Sequence, residues 1–440
     1  MATLSVGFGR TDITPKESVP LCGYGNTSRR MSGPILDPLY ATCLAFSDDE
    51  GSVVLAFALD LTSPRTAFRD RLLASIGEAT GVAPERILCS CSHNHSAPDL
   101  GNDEQPSIPR YIDFLETQLI AAAKAAMADR APASLQIGSI ETQGLNFVRH
   151  YLMADGTYAG DNHGSFKKST IVRHETEADH ILQMMKILRP GKQEIQVANF
   201  QMHPHRAGGA TKPEVTSDIV GAFRSEVERQ QGCLFVYFSG ASGNVNGHSR
   251  IPEENITPDY IAHGKALADY AARVQYRDVR AGAVRFACKV LDEKVDHSRD
   301  GDVPKAREAV AAWKSGMPRE QYKPIIRALG FHSPYHANAV IAKSEMGESW
   351  EVPLWAFSIG DVAFVAGPYE MFDTNGMQIK EASPFAMTFV LTCTNEFRAY
   401  FPSALGFEHG GYSVDICRFT PGVGERAVEE FLAMLRGLKE

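Results

Sequence analysis

Several features that mark special classes of protein are absent from this sequence. It has eight cysteines among 440 residues but no Cys-x-x-Cys pair. Neither a disulfide framework nor a thiolate zinc cluster is therefore indicated. Hydrophobic runs such as "SVVLAFALDL" are about half as long as a membrane-spanning helix requires. We expect a soluble protein that does not insert into membranes.

The charge pattern and the first residues exclude further classes. The 44 basic and 53 acidic residues give a formal net charge of -9, spread along the whole chain, so no basic face for nucleic acid or anionic lipid is indicated. The segment "MATLSVGFGRTDITPKE" lacks the basic and apolar regions of a secretory signal. We expect a cytoplasmic protein that binds no nucleic acid.

Short β-rich runs alternate with helical stretches. The run "EIQVANFQMH" precedes the helical pattern "SDIVGAFRSEVERQQG", which in turn precedes "CLFVYFSGASGNVNG". This alternation predicts an α/β protein whose mixed sheets are flanked by helices. The whole chain, 1–440, is expected to form a single domain. Residues 298–328 are polar and helix-prone, and they predict an exposed helical excursion from it.

Two pairs of histidines follow predicted strands. His93 and His95 lie in "CSHNHSAPDL", and in extended backbone they would point the same way. His203 and His205 lie in "NFQMHPHRAGG". Imidazole is a common zinc ligand, so two such pairs favour a shared metal, while two solvated loops are the alternative. Asp218, in "TSDIVG", is expected to cap the following helix rather than bind metal.

Other readings of these motifs agree less well with the sequence. The acid after the first pair, Asp99, does not give the HxHxDH spacing of metallo-β-lactamase-like hydrolases. The regular eightfold alternation of an amidohydrolase barrel is missing too. "FVYFSGASGNVNG" lacks the Lys-Ser/Thr pair of a P-loop, and Ser242 does not lie in a GxSxG elbow. A serine hydrolase that uses Ser242 remains an alternative.

Taken in order, the motifs resemble a known family. They are "VGFGRTDITP", "LCGYG", "DPLYA", "ALDLT", "CSHNHSAPD", "NFVRHYLMADG", "ANFQMHP", "TSDIVGAF", "SGASGNVNG", "VAGPYE" and "TNEFRAYFP". The chain resembles the N-terminal catalytic domain of the neutral/alkaline, non-lysosomal ceramidases, which are zinc-dependent amidases. The resemblance implies a ceramidase-like fold and one Zn2+ per chain, held by His93, His203, Glu370 and Tyr400.

The resemblance also implies roles around the metal. His95 and Arg149 correspond to polar groups that face the substrate, although for Arg149 a surface salt bridge is the alternative. Asn246 replaces the catalytic serine of ceramidases, and Tyr369 replaces the glycine of their Pro-Gly-Glu turn. We expect Tyr369, Asn246 and His205 to contact the substrate. The sequence ends with a helix after the tyrosine motif, so we expect a divergent member without the C-terminal immunoglobulin-like domain.

These expectations combine into one function. We expect a zinc-dependent hydrolase in which metal-activated water cleaves the amide bond of a small N-acyl amine. The alternatives are an esterase or carbamate hydrolase, a true ceramidase, and a zinc- or ligand-binding homologue without activity. The sequence indicates a small-molecule partner and gives no oligomeric state.

Overall fold

The N-terminal sheet carries the first pair of histidines at one edge. The computed structural model describes residues 3–25, 30–64, 66–102, 104–164 and 166–440. This sheet is antiparallel except where its edge strand pairs in parallel with its neighbour. Its apolar residues pack against two helices, Thr66–Thr80 and Ser107–Ala128. From that edge, its strands are Ile87–Cys91, Val53–Leu59, Tyr40–Ser47, Ser5–Asp12 and Ala131–Pro132.

The central sheet carries the second pair of histidines. It too is antiparallel apart from one parallel pair at its edge. Helices Asp218–Gln231 and Tyr260–Ala271 bury apolar residues against it. From the parallel edge, its strands are Leu234–Ser239, Ile195–Phe200, Ile181–Leu188, Ser134–Glu141 and Arg277–Val279.

The C-terminal sheet ends in a parallel pair as well. Helices Asp373–Ala382 and Val423–Lys439 cover it, and its central hairpin turns at Gly360, whose φ of 77° suits glycine. Its strands, in order, are Val284–Lys294, Ser349–Ile359, Val362–Ala366 and Met387–Leu391. The expected α/β class, with mixed sheets flanked by helices, is confirmed.

One apolar core joins the three sheets. Phe364 of the C-terminal sheet is fully buried, and its ring centroid lies 5.9 Å from Phe46 of the N-terminal sheet. It lies 6.4 Å from Phe238 of the central sheet. It also stacks on Phe357 at 4.4 Å. Because strands from all three sheets share this core, their relative positions are fixed by the packing of a few aromatic rings.

The parallel strand pairs position the loops of interest. Ile87–Cys91 leads to His93, Ile195–Phe200 to His203, and Val362–Ala366 to Glu370. The loop to Tyr400 follows Met387–Leu391. Ligand sites in α/β proteins commonly lie at the carboxyl ends of parallel strands.

A group of three helices lies in and beyond the region for which a helical excursion was predicted. Helices Val303–Lys314 and Arg319–Ala328 fall within residues 298–328, and Pro334–Ser344 follows them. They bury a small core of their own, which includes Ala306, Ile326 and Phe331. Within the described ranges, no helix is both long enough and apolar enough to span a bilayer.

Short elements complete the chain. The short strands are Phe147–Val148, His150–Met153, Tyr158–Gly160, Ile171–His174, Val245–Asn246, Glu370–Met371 and Tyr400–Phe401. The short helices are Ala404–His409 and Tyr412–Asp415, and single 3-10 turns occur at Pro84–Arg86, Lys168–Thr170, Pro252–Glu254 and Asp300–Asp302.

Replacing Phe364 by alanine should destabilise the whole protein. The change leaves a cavity where the three sheets meet, and truncation of a buried Phe costs about 3–5 kcal/mol. The measurement is urea-induced unfolding followed by tryptophan fluorescence. Val290→Ala is a control, because Val290 is 55% exposed on a strand of the same sheet. Equal unfolding midpoints for the two variants would show that Phe364 does not join the sheets.

Candidate metal centre

Two histidines and one glutamate meet where the three sheets come together. Nε2 of His203 lies 2.9 Å from Oε2 of Glu370, and Nε2 of His93 lies 3.3 Å from the same oxygen. All three side chains are buried. Each residue comes from a different sheet, so tertiary packing rather than local sequence brings them together.

Hydrogen bonds to the backbone fix the orientation of both imidazoles. Nδ1 of His93 donates to the carbonyl of Thr62, at 3.0 Å. Nδ1 of His203 donates to the carbonyl of Val245, also at 3.0 Å. In each neutral ring the proton is therefore on Nδ1, and the lone pair of Nε2 points toward Glu370. This arrangement is typical of histidines that bind metal.

The atoms that face one another fit a divalent cation. Nε2 of His203 and Oε2 of Glu370 are buried and form no hydrogen bond with the described residues. Both are acceptors, so their close approach is unfavourable unless a cation or proton lies between them. Ligand atoms about 2.1 Å from a tetrahedral zinc are roughly 3.4 Å apart, close to the separations here. His93, His203 and Glu370 can therefore hold a metal.

The electrostatic surroundings favour the forms of these residues that bind metal. Burial lowers the pKa of His203 to about 4, and the Arg149 charge acts in the same direction. Burial alone would raise the pKa of Glu370, but His93, His203 and Arg149 lower it to about 2. A neutral imidazole thus faces an ionised carboxylate at neutral pH, as metal binding requires.

Tyr400 and Arg149 lie beside Glu370. The backbone of Tyr400 pairs with that of Glu370 in a short parallel bridge. Nη2 of Arg149 donates to Oη of Tyr400 at 3.1 Å, to the Gly243 carbonyl at 2.7 Å and to Oγ of Ser413 at 3.1 Å. Arg149 is half-buried in the cleft wall. The role of Tyr400 as a fourth ligand stays a prediction.

His95 lies close to both histidine ligands. Its ring centroid is 4.9 Å from that of His93 and 5.8 Å from that of His203. The possible ligand atoms of these three histidines lie within 4.8 Å of one another. Nδ1 of His95 is buried and forms no hydrogen bond with the described residues. His95 is therefore placed either to face a substrate, as expected, or to act as a further ligand.

The backbone that carries the first histidine pair differs from the extended form assumed for it. His93 has φ of 64°, in the left-handed region. The backbone N–H of Asn94 donates to the Leu61 carbonyl at 3.1 Å, and its side chain donates to the Thr216 carbonyl at 2.7 Å. These contacts hold the bent loop, so His93 and His95 converge through a turn and not through strand alternation.

The three residues expected to contact substrate occupy different surroundings. His205 lines the cleft, with its ring centroid 5.4 Å from that of His95. Asn246 is buried, and its backbone pairs with Phe147 and His203. Asn246 is not among the side chains that line the cleft.

The position expected for Tyr369, at the rim of the site, is wrong. Its side chain is fully buried in the apolar core and packs on Phe401, with ring centroids 4.7 Å apart. Tyr369 lies in the bend that precedes the short strand Glu370–Met371. Its ring enters the core from this bend, whereas the carboxylate of Glu370 faces His93 and His203.

Asp218 has a role that the sequence did not reveal. Its carboxylate accepts hydrogen bonds from the backbone N–H groups of Arg206, Ala207 and Ile219, at 3.2, 2.7 and 2.7 Å. It therefore ties the loop after His205 to the start of the helix, where a simple cap was expected. Backbone carbonyls such as those of Thr62 and Val245 were missed too, because they have no side-chain signature.

Ser242 is not placed as a nucleophile. It is buried, and no hydrogen bond in the described part of the chain joins its hydroxyl to a histidine. A serine nucleophile requires an adjacent base. The geometry therefore gives no support to the alternative of a serine hydrolase.

The metal centre lies at the floor of a cleft of about 1330 Å³. Most of the side chains along its walls are polar or charged, and the larger apolar ones are few. Those that line it are Leu36, Pro258, Phe397 and Ile416. The cleft is large enough for an organic substrate, and its walls offer polar and apolar surface in similar amounts, with five tyrosines contributing to both.

The purified protein should contain about one transition-metal ion per chain, because the inward-facing atoms need a cation. His203→Ala should lose most of this metal, since it removes a ligand that is already oriented. His297→Ala is the control, because that histidine is half-buried and does not line the cleft. Elemental analysis of both variants gives the answer, and a His203→Ala protein with unchanged metal content would contradict the assignment.

Comparison with known proteins shows which solved structures share this fold. No family model and no curated protein matches the sequence. Among solved structures, the chain is similar to neutral ceramidase from Pseudomonas aeruginosa, with a TM-score of 0.72 at 16% identity over 100% of this chain and 75% of that one. A ceramidase complexed with C2 gives a TM-score of 0.71 at 15% identity, over 100% and 76% of the two chains. The chain has a neutral ceramidase-like fold.

Proposed function

We propose that this protein is a zinc-dependent hydrolase that cleaves the amide bond of a small N-acyl compound. The observation that carries the proposal is that the buried, unpaired atoms of His203 and Glu370 meet at the floor of an open cleft, with Nε2 of His93 3.3 Å from the same carboxylate oxygen. Catalytic zinc sites combine a few protein ligands with a free position on the side of the substrate. The similarity to ceramidase structures, which are named for an amide hydrolase, supports the choice of bond.

The residues that would hold the zinc are His93, His203 and Glu370, with Tyr400 as the fourth ligand. When bound, zinc supplies Lewis acidity that polarises a carbonyl group and makes water nucleophilic near neutral pH. The chain itself keeps His203 neutral and Glu370 ionised at neutral pH. The carbonyls of Thr62 and Val245 orient the imidazoles of His93 and His203.

Arg149 and His95 would act on the substrate. The guanidinium of Arg149 is held by Gly243, Tyr400 and Ser413 beside the metal centre. A fixed cation there stabilises the negative charge that develops on the carbonyl oxygen. His95, whose ring centroid lies 4.9 Å from that of His93, adds a polar ring without a partner on Nδ1. One such donor is worth about 3–4 kcal/mol in well-studied enzymes.

The lining of the cleft favours a small substrate. A long acyl chain is stabilised by about 0.8 kcal/mol for each methylene that it buries in apolar surroundings. Charged side chains share these walls with the apolar ones, so a long acyl chain would lie partly against polar groups and lose part of this stabilisation. This argument rests on the cleft itself, since Tyr369 lies in the core and does not narrow the rim.

Arg149→Ala and His95→Ala should keep the metal and lose most turnover. For Arg149 we expect kcat/KM to fall about 100-fold or more, as for removal of an oxyanion donor. Arg307→Ala is a matched control, because Arg307 pairs with Glu345 on the exposed helices. Metal content and kcat/KM are measured on the same preparations. Near-normal kcat/KM in either site variant would remove that residue from the site.

The length of the acyl chain should determine kcat/KM for N-acyl amines. We expect kcat/KM for N-acyl amines to peak at short chains and to fall toward long-chain ceramide, because long chains stay in water. The assay compares acyl groups of increasing length at a fixed detergent concentration, with and without a chelator. A steady rise up to ceramide would instead support a true ceramidase. Turnover that survives removal of the metal would contradict the zinc mechanism.

A further inference from the structure

A second recess of about 300 Å³ opens from the side of the catalytic cleft. Asp161, Asn162, Arg319 and Tyr335 line both the recess and the cleft. A large part of the remaining wall comes from the helix Arg319–Ala328. The recess therefore extends the space available to a molecule bound at the metal centre.

The helix presents three cations to this recess. Arg319, Lys323 and Arg327 are spaced four residues apart, so they share one face of the helix and all line the recess. Like charges at this spacing destabilise a helix. Burial and the neighbouring charges of Arg327 and Arg319 lower the pKa of Lys323. The lowered pKa of Lys323 shows that the charges of Arg319 and Arg327 act on it in the folded protein.

The surrounding charges do not neutralise these cations. Among the described residues that line the recess, Asp161 is the only acid. Its carboxylate is already engaged by Arg250 through two contacts of 2.7 and 2.9 Å. No ion pair within the described ranges involves Arg319 or Lys323. This local excess of positive charge lies in a protein whose formal net charge is -9.

Two histidines complete the wall, and a buried acid orients them. Nδ1 of His163 and Nδ1 of His332 approach Oδ2 of Asp415, at 2.8 and 2.9 Å. With Nδ1 engaged in this way, Nε2 is the nitrogen left for other contacts, and it has no hydrogen bond to the described residues. Asp415 thus holds both rings in place.

The recess is coupled to the catalytic groups through a chain of aromatic contacts. The guanidinium carbon of Arg149 lies 6.0 Å from the centroid of the Tyr412 ring. The centroid of Tyr412 is in turn 6.0 Å from that of Tyr335, which lines the recess. A substrate whose amide lies beside Arg149 can therefore extend past these two tyrosines into the recess.

From this arrangement we infer that the recess binds an anionic group on the substrate, and that Arg319, Lys323 and Arg327 recognise it. The inference rests on the proposed amide hydrolase and narrows its substrates to N-acyl compounds with a carboxylate or phosphate remote from the scissile bond. Both anions offer the oxygen acceptors that guanidinium and ammonium groups bind. Tyr322 and Tyr335 contribute aromatic surface beside these cations.

The test compares matched substrates on matched variants. The anionic series consists of N-benzoyl ω-amino acids with two to six carbons, and each neutral partner carries an alcohol in place of the carboxylate. N-benzoyl phosphoethanolamine supplies the phosphate arm. The readout is the ratio of kcat/KM for the anionic and the neutral member of each pair, which cancels general losses of activity.

In the wild-type protein this ratio should exceed one at the chain length that reaches the recess. Arg319→Ala and Lys323→Ala should each lower it by about 10- to 100-fold, as expected for loss of a charged hydrogen bond. Lys314→Ala is the control, because Lys314 is exposed on the preceding helix and does not line the recess. A ratio near one at every length, or an equal loss in the Lys314 variant, would overturn the inference.

A binding measurement separates this inference from the proposed function. Calorimetry with 6-(benzoylamino)hexanoate on chelator-treated protein reports on the recess without turnover. One outcome is that the protein binds this carboxylate, that Lys323→Ala weakens the binding, and that no amide is hydrolysed. This outcome would support the anion-binding recess and contradict the proposed hydrolase. Hydrolysis of neutral amides together with no binding of the carboxylate or of inorganic phosphate would support the hydrolase and overturn the recess.

Discussion

The hydrogen bonds from Nδ1 of His93 and His203 to backbone carbonyls are the interactions on which the metal centre depends. Thr62 supplies one carbonyl from the end of the N-terminal sheet, and Val245 supplies the other from the loop after the central sheet. Each bond selects the tautomer that directs Nε2 inward. Since Glu370 comes from the C-terminal sheet, the ligand geometry is a property of the way the three sheets pack around Phe364.

Part of this site could be predicted from the sequence, because a histidine that follows an apolar β-run can be recognised in a short stretch of residues. The β-runs before His93 and His203 are visible as apolar stretches, and their meeting follows from the rule that ligands bind at carboxyl ends of strands. Glu370 and Tyr400 have no such signal and were predicted only through the resemblance to ceramidases. Nothing in the sequence indicates that the backbone carbonyl of Thr62 orients a ring.

Other predictions differed from the structure for reasons that are physical. Tyr369 was placed at the rim, yet the bend before Glu370 directs its ring into the core, and a replacement of glycine by tyrosine in the motif does not report which way the side chain faces. The bend at His93 was missed, since a positive φ at a non-glycine residue depends on tertiary hydrogen bonds that periodicity does not report. The helix Pro334–Ser344 follows the predicted excursion; its Ser333 cap and Pro334 are recognisable signals, but residues 298–328 were bounded by polar composition alone.

The similarity to ceramidase structures at 16% identity shows that this fold persists when most residues differ. Apolar alternation in the three sheets needs only residues of suitable size, so the fold tolerates extensive substitution. The side chains along the walls of the cleft are not required to fill a core, so they can differ between proteins that act on different substrates. The cations of the helix Arg319–Ala328 illustrate this freedom, because like charges four residues apart destabilise the helix that carries them.

The left-handed backbone at His93 is one of several such positions around the cleft. Cys393, Asn395 and Ala399 also have φ between 49° and 70°, and they precede Tyr400. Each such residue costs on the order of 1–3 kcal/mol relative to relaxed backbone. Glycine at these positions would relieve the cost, yet at residue 93 it would remove a ligand. Selection of this chain for heat resistance alone would therefore favour glycine at a position where the candidate metal site requires an imidazole.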